Sequence, residues 1–287
     1  MIIGTDDVYL VQENGGDPTI LAAGSAHGES GVSILSLRFK NGIHFSATSR
    51  QHLIWFQLSN VRIECRRAGR KLTQNVRAET LAICPAGIEC AADAEGNVDG
   101  LLVAVDAGRL ALTAAENSVL EAQVIDRLTG YDKALFDLAR GLATETIDGY
   151  PNGPLFWNDI ATVFVGSLIA RHTTEPQSQK RGALGKNILE RLKEYVNAHL
   201  DEPIEVAALA NIAGRSPFHF SRIFARSVGV TPHRYVIHLR LRRAVELIRE
   251  GRTGLAEVAA CTGFADQSHL SRWIQRVHGV SLTGLAA

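Results

Sequence analysis

Arg222 and Arg272 each follow a serine, and each Ser-Arg pair sits at the same place in one of two similar stretches. The stretches are VAALANIAGRSPFHFSRIFARSV, from Val206 to Val228, and LAEVAACTGFADQSHLSRWIQRV, from Leu255 to Val277. They also share Ala210 with Ala259 and Gly214 with Gly263, and the second copy has one more residue in its turn. An arginine can donate two hydrogen bonds to guanine O6 and N7, glutamine pairs with adenine, and an apolar ring can meet the thymine methyl. At about 100° per residue, Phe218, Ser221, Arg222 and Ala225 share one helical face, opposite Phe220, Ile223, Phe224 and Ser227. In the second copy Ser268, Ser271, Arg272 and Gln275 lie opposite Leu270, Trp273, Ile274 and Val277, with Gln267 and His269 at the flanks. The chemistry on offer is the reading of base edges. A solvated surface would explain either arginine alone, but not its recurrence. Phe218 either awaits a partner or packs on a neighbouring loop, and His219 and His269 either touch phosphate or are merely exposed. Arg240, Arg242 and Arg243 either neutralise phosphate or pair within the domain.

These side chains need short helices to hold them. Each copy reads as an apolar helix, a Gly-containing turn and a second helix, a helix-turn-helix. Ser216 and Asp266 are the expected N-caps of the second helices, with Pro217 at a first helical position. Ile237, Leu241, Ala244, Val245 and Ile248 predict a long helix that fixes the distance between the copies. Ile188, Leu192, Tyr195 and Val196 predict an amphipathic helix that opens the region. Before it, residues 173–186 are polar and carry Pro176, Ser178, Gly182 and Gly185, which reads as a linker.

The first half has the shorter period of strands. Val61, Ile63 and Cys65 alternate with polar neighbours, as do Leu35, Leu37 and Phe39. Leu53 to Leu58 and Leu101 to Val105 are continuous apolar runs that suit fully buried strands. Asn41-Gly42, Pro85-Ala86-Gly87 and Glu95-Gly96-Asn97 mark turns, and the whole predicts a small barrel or sandwich. Helices are expected near 131–146 and 155–172, the second with Ile160, Val163, Phe164 and Leu168 on one stripe and Val165 and Ile169 also covered.

A formal net charge of zero conceals a division. Residues 180–287 hold 16 Lys/Arg against 9 Asp/Glu, whereas residues 1–179 hold 14 against 21. A basic end on an acidic body fits a polyanion-binding module attached to something else. Cys65, Cys84, Cys90 and Cys261 are too sparse for a disulfide scaffold and form no C-x-x-C pair, so buried reduced thiols are expected, with a Cys84–Cys90 redox pair the lesser alternative. The first ten residues lack a basic leader, and the most apolar run, Ile160 to Ala170, falls short of the ~20 residues that cross a bilayer. A cytoplasmic protein without membrane contact is expected.

From Leu184 onward the chain resembles the AraC/XylS family of bacterial transcription regulators. The resemblance rests on LANIAGRSPFHFSRIFARSVGVTP, RLRRAVELI and EVAACTGFADQSHLSRWIQRVHG, in that order. It implies an α+β chain: a cupin-like β-barrel over 1–115, a helical dimerisation segment over 116–172, the linker, and an all-α double helix-turn-helix domain over 187–287. It further implies recognition helices that enter successive major-groove segments, about 34 Å apart. Family base contacts map onto Phe218, Ser221, Arg222, Gln267, Ser268, Ser271 and Arg272. The implied partners are double-stranded DNA, a small-molecule effector, a second copy of the chain and, for an activator, RNA polymerase, with no cofactor. Arg215, in a turn position usually apolar, and Trp273-Ile274 depart from the family pattern. Two other readings remain: a regulator with a ligand-free barrel, and a cupin-type enzyme. The enzyme would need a metal, yet His27, His44 and His52 form no H-x-H pair and have no nearby Glu in ligand register.

Overall fold

The structure is a computed structural model that describes residues 8–11, 19–25, 31–40, 42–67, 70–174, 184–251, 254–282 and 285. Its first half is built from β1 (Val8–Val11), β2 (Thr19–Ser25), β3 (Val32–Phe39), β4 (Ile43–Thr48), β5 (Gln51–Gln57), β6 (Val61–Arg67), β7 (Arg70–Val76), β8 (Thr80–Cys84), β9 (Glu89–Ala94) and β10 (Val98–Asp106). Then come α1 (Ala107–Glu116), β11 (Gln123–Val124), β12 (Arg127–Tyr131), α2 (Lys133–Ile147), α3 (Gly153–His172) and β13 (Thr173–Thr174). The remainder is α4 (Lys186–Ala198), α5 (Val206–Ile212), α6 (Pro217–Val228), α7 (Pro232–Glu250), α8 (Leu255–Cys261) and α9 (Gln267–His278).

Two antiparallel sheets form the β region, in the orders β1-β4-β9-β6-β7 and β12-β8-β5-β10-β3-β2. One apolar core draws on both, with Phe39, Leu53 and Leu102 from the larger sheet and Ile43, Val61 and Cys90 from the smaller. The larger sheet also buries its second face. Phe56 lies 5.9 Å from Phe136 of α2 and 6.2 Å from Phe164 of α3, ring centre to ring centre. Burial on both faces explains why β5 and β10 read as unbroken apolar runs while β6 alternates.

Asp132 caps α2 by accepting from the Leu135 amide at 3.0 Å. Against α2 lies α3, whose Trp157 Nε1 donates to the Leu142 carbonyl at 3.2 Å. The apolar stripe expected on α3 is divided: Phe164 and Leu168 are buried, whereas Val163 is 55 % exposed. Val165 and Ile169 are buried, as their position on the covered faces required. At 20 residues α3 is long and apolar enough to cross a bilayer, which the shorter run read from the sequence was not. Its largest side chain, Trp157, is fully buried in this unit, the behaviour of a core helix.

The chain forms two compact units. One contains the sheets with residues 124–174, and the other the helices after residue 184. Residues 108–123, which sequence reading left with the β region and its helical extension, group with the second unit. Leu112 and Ala115 of α1 join the core formed by Leu192, Phe224, Val228 and Tyr235. Pro176, Ser178 and Gly182 of the expected linker lie outside the described residues, as does His27, and Gly185 is the N-cap of α4.

Candidate nucleic-acid interface

In the first head Phe220, Ile223, Phe224 and Ser227 of α6 are buried, which fixes the helix's rotation. Phe220 and Phe224 pack at 5.4 Å, and Phe224 meets Tyr235 of α7 edge-on at 5.5 Å. The other face then points to solvent: Phe218 is 82 % exposed, Arg222 is exposed, and His219, Ser221 and Ala225 are half-buried. Pro217 occupies the first turn as expected, but the Ser216 side chain makes no capping bond, so only its backbone serves there. Ser221 Oγ donates to the Pro217 carbonyl at 2.9 Å, which sets its rotamer.

The second head repeats the arrangement. Leu270 and Ile274 are buried, while Trp273 and Val277 reach only partial burial, so this head is anchored by fewer side chains. Asp266 caps α9 by accepting from the His269 amide at 2.6 Å. Gln267, Ser268, Arg272 and Gln275 are exposed, and Ser271 is half-buried. Gln275 Nε2 donates to the Gly279 carbonyl at 3.4 Å at the helix end. His269 is less available than its sequence position suggested. Its Nε2 lies 3.1 Å from Trp273 Nε1, its Nδ1 3.3 Å from the Ala265 amide, and its ring stands edge-on to Phe264 at 5.5 Å. A neutral imidazole has one bare nitrogen, so it accepts these bonds one at a time.

Arginines separate into two kinds. Among the described residues Arg222 and Arg272 have no hydrogen-bond or ion-pair partner. Those of α7 are engaged within the domain, the second of the two roles the sequence left open for them. Arg240 donates to the Gly263 carbonyl at 3.0 Å and to the Glu202 carbonyl at 2.6 Å, tying α7 to both the turn of the second head and the loop after α4. Burial lowers its pKa, against the opposing charge of Asp201. Arg243 pairs with Glu246 at 3.1 Å and Arg242 with Glu116 at 3.4 Å.

Sequence reasoning missed Glu116 altogether. Its carboxylate lies 2.6 Å from His238 Nε2, and its backbone carbonyl accepts from Lys193 Nζ. Burial alone would raise its pKa, but the hydrogen bond and charge of His238, with Arg242 and Arg109, outweigh that and hold it below the ordinary value. No short-range pattern marks the residue, since it meets His238 across 122 positions of chain.

Turn geometry is equally specific. Gly263 has φ +71°, and a Cβ there would run into the Leu200 carbonyl and the Arg240 guanidinium. Gly229 closes α6 at φ +79°, where a Cβ would meet Ala111 of α1. Both positions demand glycine. In the β unit, His44 Nδ1 sits 2.5 Å from Asp93 and His52 Nδ1 accepts from the Ala86 amide at 3.0 Å. Among the described residues no three His, Cys, Asp or Glu side chains are grouped to hold a metal.

Two paired helices, repeated and braced by α7, define a double helix-turn-helix domain. Residues 209–286 match the helix-turn-helix domain family. The probable transcriptional regulator LumQ of Photobacterium leiognathi is 37% identical over 92 residues, covering 32% of this chain and 37% of that protein. The HTH-type transcriptional regulator GbdR of Pseudomonas aeruginosa is 26% identical over 175 residues, covering 59% of this chain and 48% of its own length. The chain thus spans less than half the length of these curated relatives. Among solved structures, ToxT from Vibrio cholerae O395 aligns with 90% of this chain and 98% of its own at 11% identity and a TM-score of 0.36, too loose a likeness to build on.

Proposed function

We propose that this chain is a sequence-specific DNA-binding transcription regulator that acts in the cytoplasm as a homodimer and responds to a small molecule held by its β unit. One observation carries the DNA reading: Arg222 and Arg272, equivalent in two heads, are exposed and without partners among the described residues, while Arg240, Arg242 and Arg243 nearby are engaged. A free guanidinium can donate both hydrogen bonds to one guanine, whereas a paired one would first have to break its ion pair. Phe218 and Ser221 flank Arg222, and Gln267, Ser268 and Ser271 flank Arg272, so each head offers hydrogen-bonding groups and the first an apolar ring. The dimer reading draws on Phe156, Ile160 and Val163 of α3, spaced 0, 4 and 7, of which Phe156 and Val163 are 45 % and 55 % exposed. Hydroxyl-radical footprinting on a bound genomic fragment tests the central part. Protection should fall in two patches one helical turn apart on one face of the duplex. Uniform protection without that spacing would contradict it.

A further inference from the structure

Between the two sheets of the β unit lies a cavity of about 100 Å³, whose wall draws on β4 to β10 and on Leu128 of β12. Among the described residues no Lys, Arg, His, Asp or Glu side chain lines it. A charged ligand there would lose its hydration with nothing to replace it. A sugar, with a hydroxyl on most carbons, fares little better. Of the described side-chain amides and hydroxyls only Gln57 and Thr80 reach the wall, and Gln57 is spent: its Oε1 accepts from Trp55 Nε1 at 2.9 Å, and its Nε2 donates to Ser59 Oγ at 3.2 Å.

The rest of the wall favours a ring. Trp55 and Phe45 line the cavity together with three cysteines, Cys65, Cys84 and Cys90, from three different strands. Sulfur at a ring edge and aromatic rings at offset or edge-on angles are both attractive partners for a π face. Volume limits the size: an apolar cavity of about 150 Å³ admits benzene, and this one is smaller, at about 100 Å³. One ring is therefore the ceiling, and its entry requires the partly buried part of the wall to yield slightly. Part of the wall is less tightly enclosed: Phe45, Trp55, Ala82 and Ala92 line it but are only partly buried, unlike the sealed core at Phe39 and Leu37.

We propose that this cavity binds one uncharged, single-ring aromatic molecule, with Trp55, Phe45 and the thiols of Cys65, Cys84 and Cys90 around the ring. The assignment rests on the reading of the β unit as the sensing part, and deepens it by naming the ligand class. Thermal unfolding of the full chain tests it with benzene as the probe and with benzoate and glucose as charged and polar controls. A ligand that binds only the folded state must raise its melting temperature. Benzene at saturation should raise it by about 3 °C or more, and benzoate and glucose should leave it unchanged. Ala92→Leu, which fills the cavity with apolar atoms, should abolish the benzene shift while circular dichroism shows a native fold. No shift with benzene, an equal or larger shift with benzoate, or a benzene shift that survives in Ala92→Leu would each overturn the proposal. Affinity for a bound genomic duplex, measured in parallel, separates the two readings. A benzene shift without a change in DNA affinity supports the ligand assignment and defeats the sensing role. A DNA response to benzoate or glucose, with none to benzene, supports sensing and defeats the assignment.

Discussion

Arg222 and Arg240 are the same residue type on adjacent helices, yet the surroundings give them opposite work. Arg222 stands exposed on the outer face of α6, and Arg240 is held by the Gly263 and Glu202 carbonyls. Replacement by alanine should therefore separate two effects. Arg222→Ala and Arg272→Ala should each weaken binding to a selected duplex by about 1–3 kcal/mol and relax base preference at one position, with thermal stability unchanged. Arg240→Ala should lower stability by about 1–3 kcal/mol, by orphaning two carbonyls, and leave base preference as it was. Titrations against single-base variants of the duplex, paired with thermal melts, check both. His52 gives a pH prediction. Burial drives its pKa from 6.5 down to about 4, with Asp106 opposing. The unfolded chain takes up its proton near pH 6.5, the folded one only near 4, so His52 favours folding fully above pH 6.5. That contribution, on the order of 3 kcal/mol, should be lost as pH falls between the two values. Urea unfolding from pH 7.5 to 4.5 should show the loss in the native protein and a flatter profile in His52→Asn.

At the scale of elements, α1 has the least expected role. It continues directly from β10 in the chain but packs its Leu112 and Ala115 into the helical unit, ending at Glu116 against His238. Glu116→Ala would leave His238 and Arg242 without their carboxylate and should destabilise the helical unit by roughly 3 kcal/mol. Because the carboxyl's pKa is depressed, its contribution is complete above the ordinary value of 4.5 and fades as pH falls through the lower folded value. Acid unfolding followed at Trp273 should start at higher pH in Glu116→Gln. Elements with a strong period were legible from the sequence: α6 and α9 showed their faces, and β5 and β10 their double burial. Short-range pattern said nothing of α1, because Ala107 to Glu116 has few large apolar residues and its helix is fixed by partners more than 70 positions away, as at Lys193. The stripe on α3 misled for a related reason. With apolar residues all round, periodicity cannot choose the covered side, and Val163 ended outside. Among the site residues the outward faces were readable, but the engagement of His269 with Trp273 and of Arg240 with Gly263 depends on tertiary contacts.

For the whole molecule, the resemblance that the motifs carry in the sequence begins at Leu184, but the compact helical unit also includes residues 108–123. A fragment of residues 184–287 lacks Leu112 and Ala115, two members of the core that also holds Val228 and Tyr235. It should melt well below the helical transition of the full chain, and a synthetic peptide of residues 107–123 should restore part of the loss. Equal melting with and without the peptide would remove α1 from the account. The basic carboxyl-terminal part implies that DNA binding by the full chain weakens steeply with salt, as phosphate contacts release counterions. Base recognition by two heads is the central claim, and selection from a pool of random duplexes with the full chain tests it most directly. Enriched sequences should hold two short conserved blocks one helical turn apart, with Arg222→Ala erasing preference in one block and Arg272→Ala in the other. A pool that shows no enrichment, or enriched blocks that both variants leave intact, would contradict it.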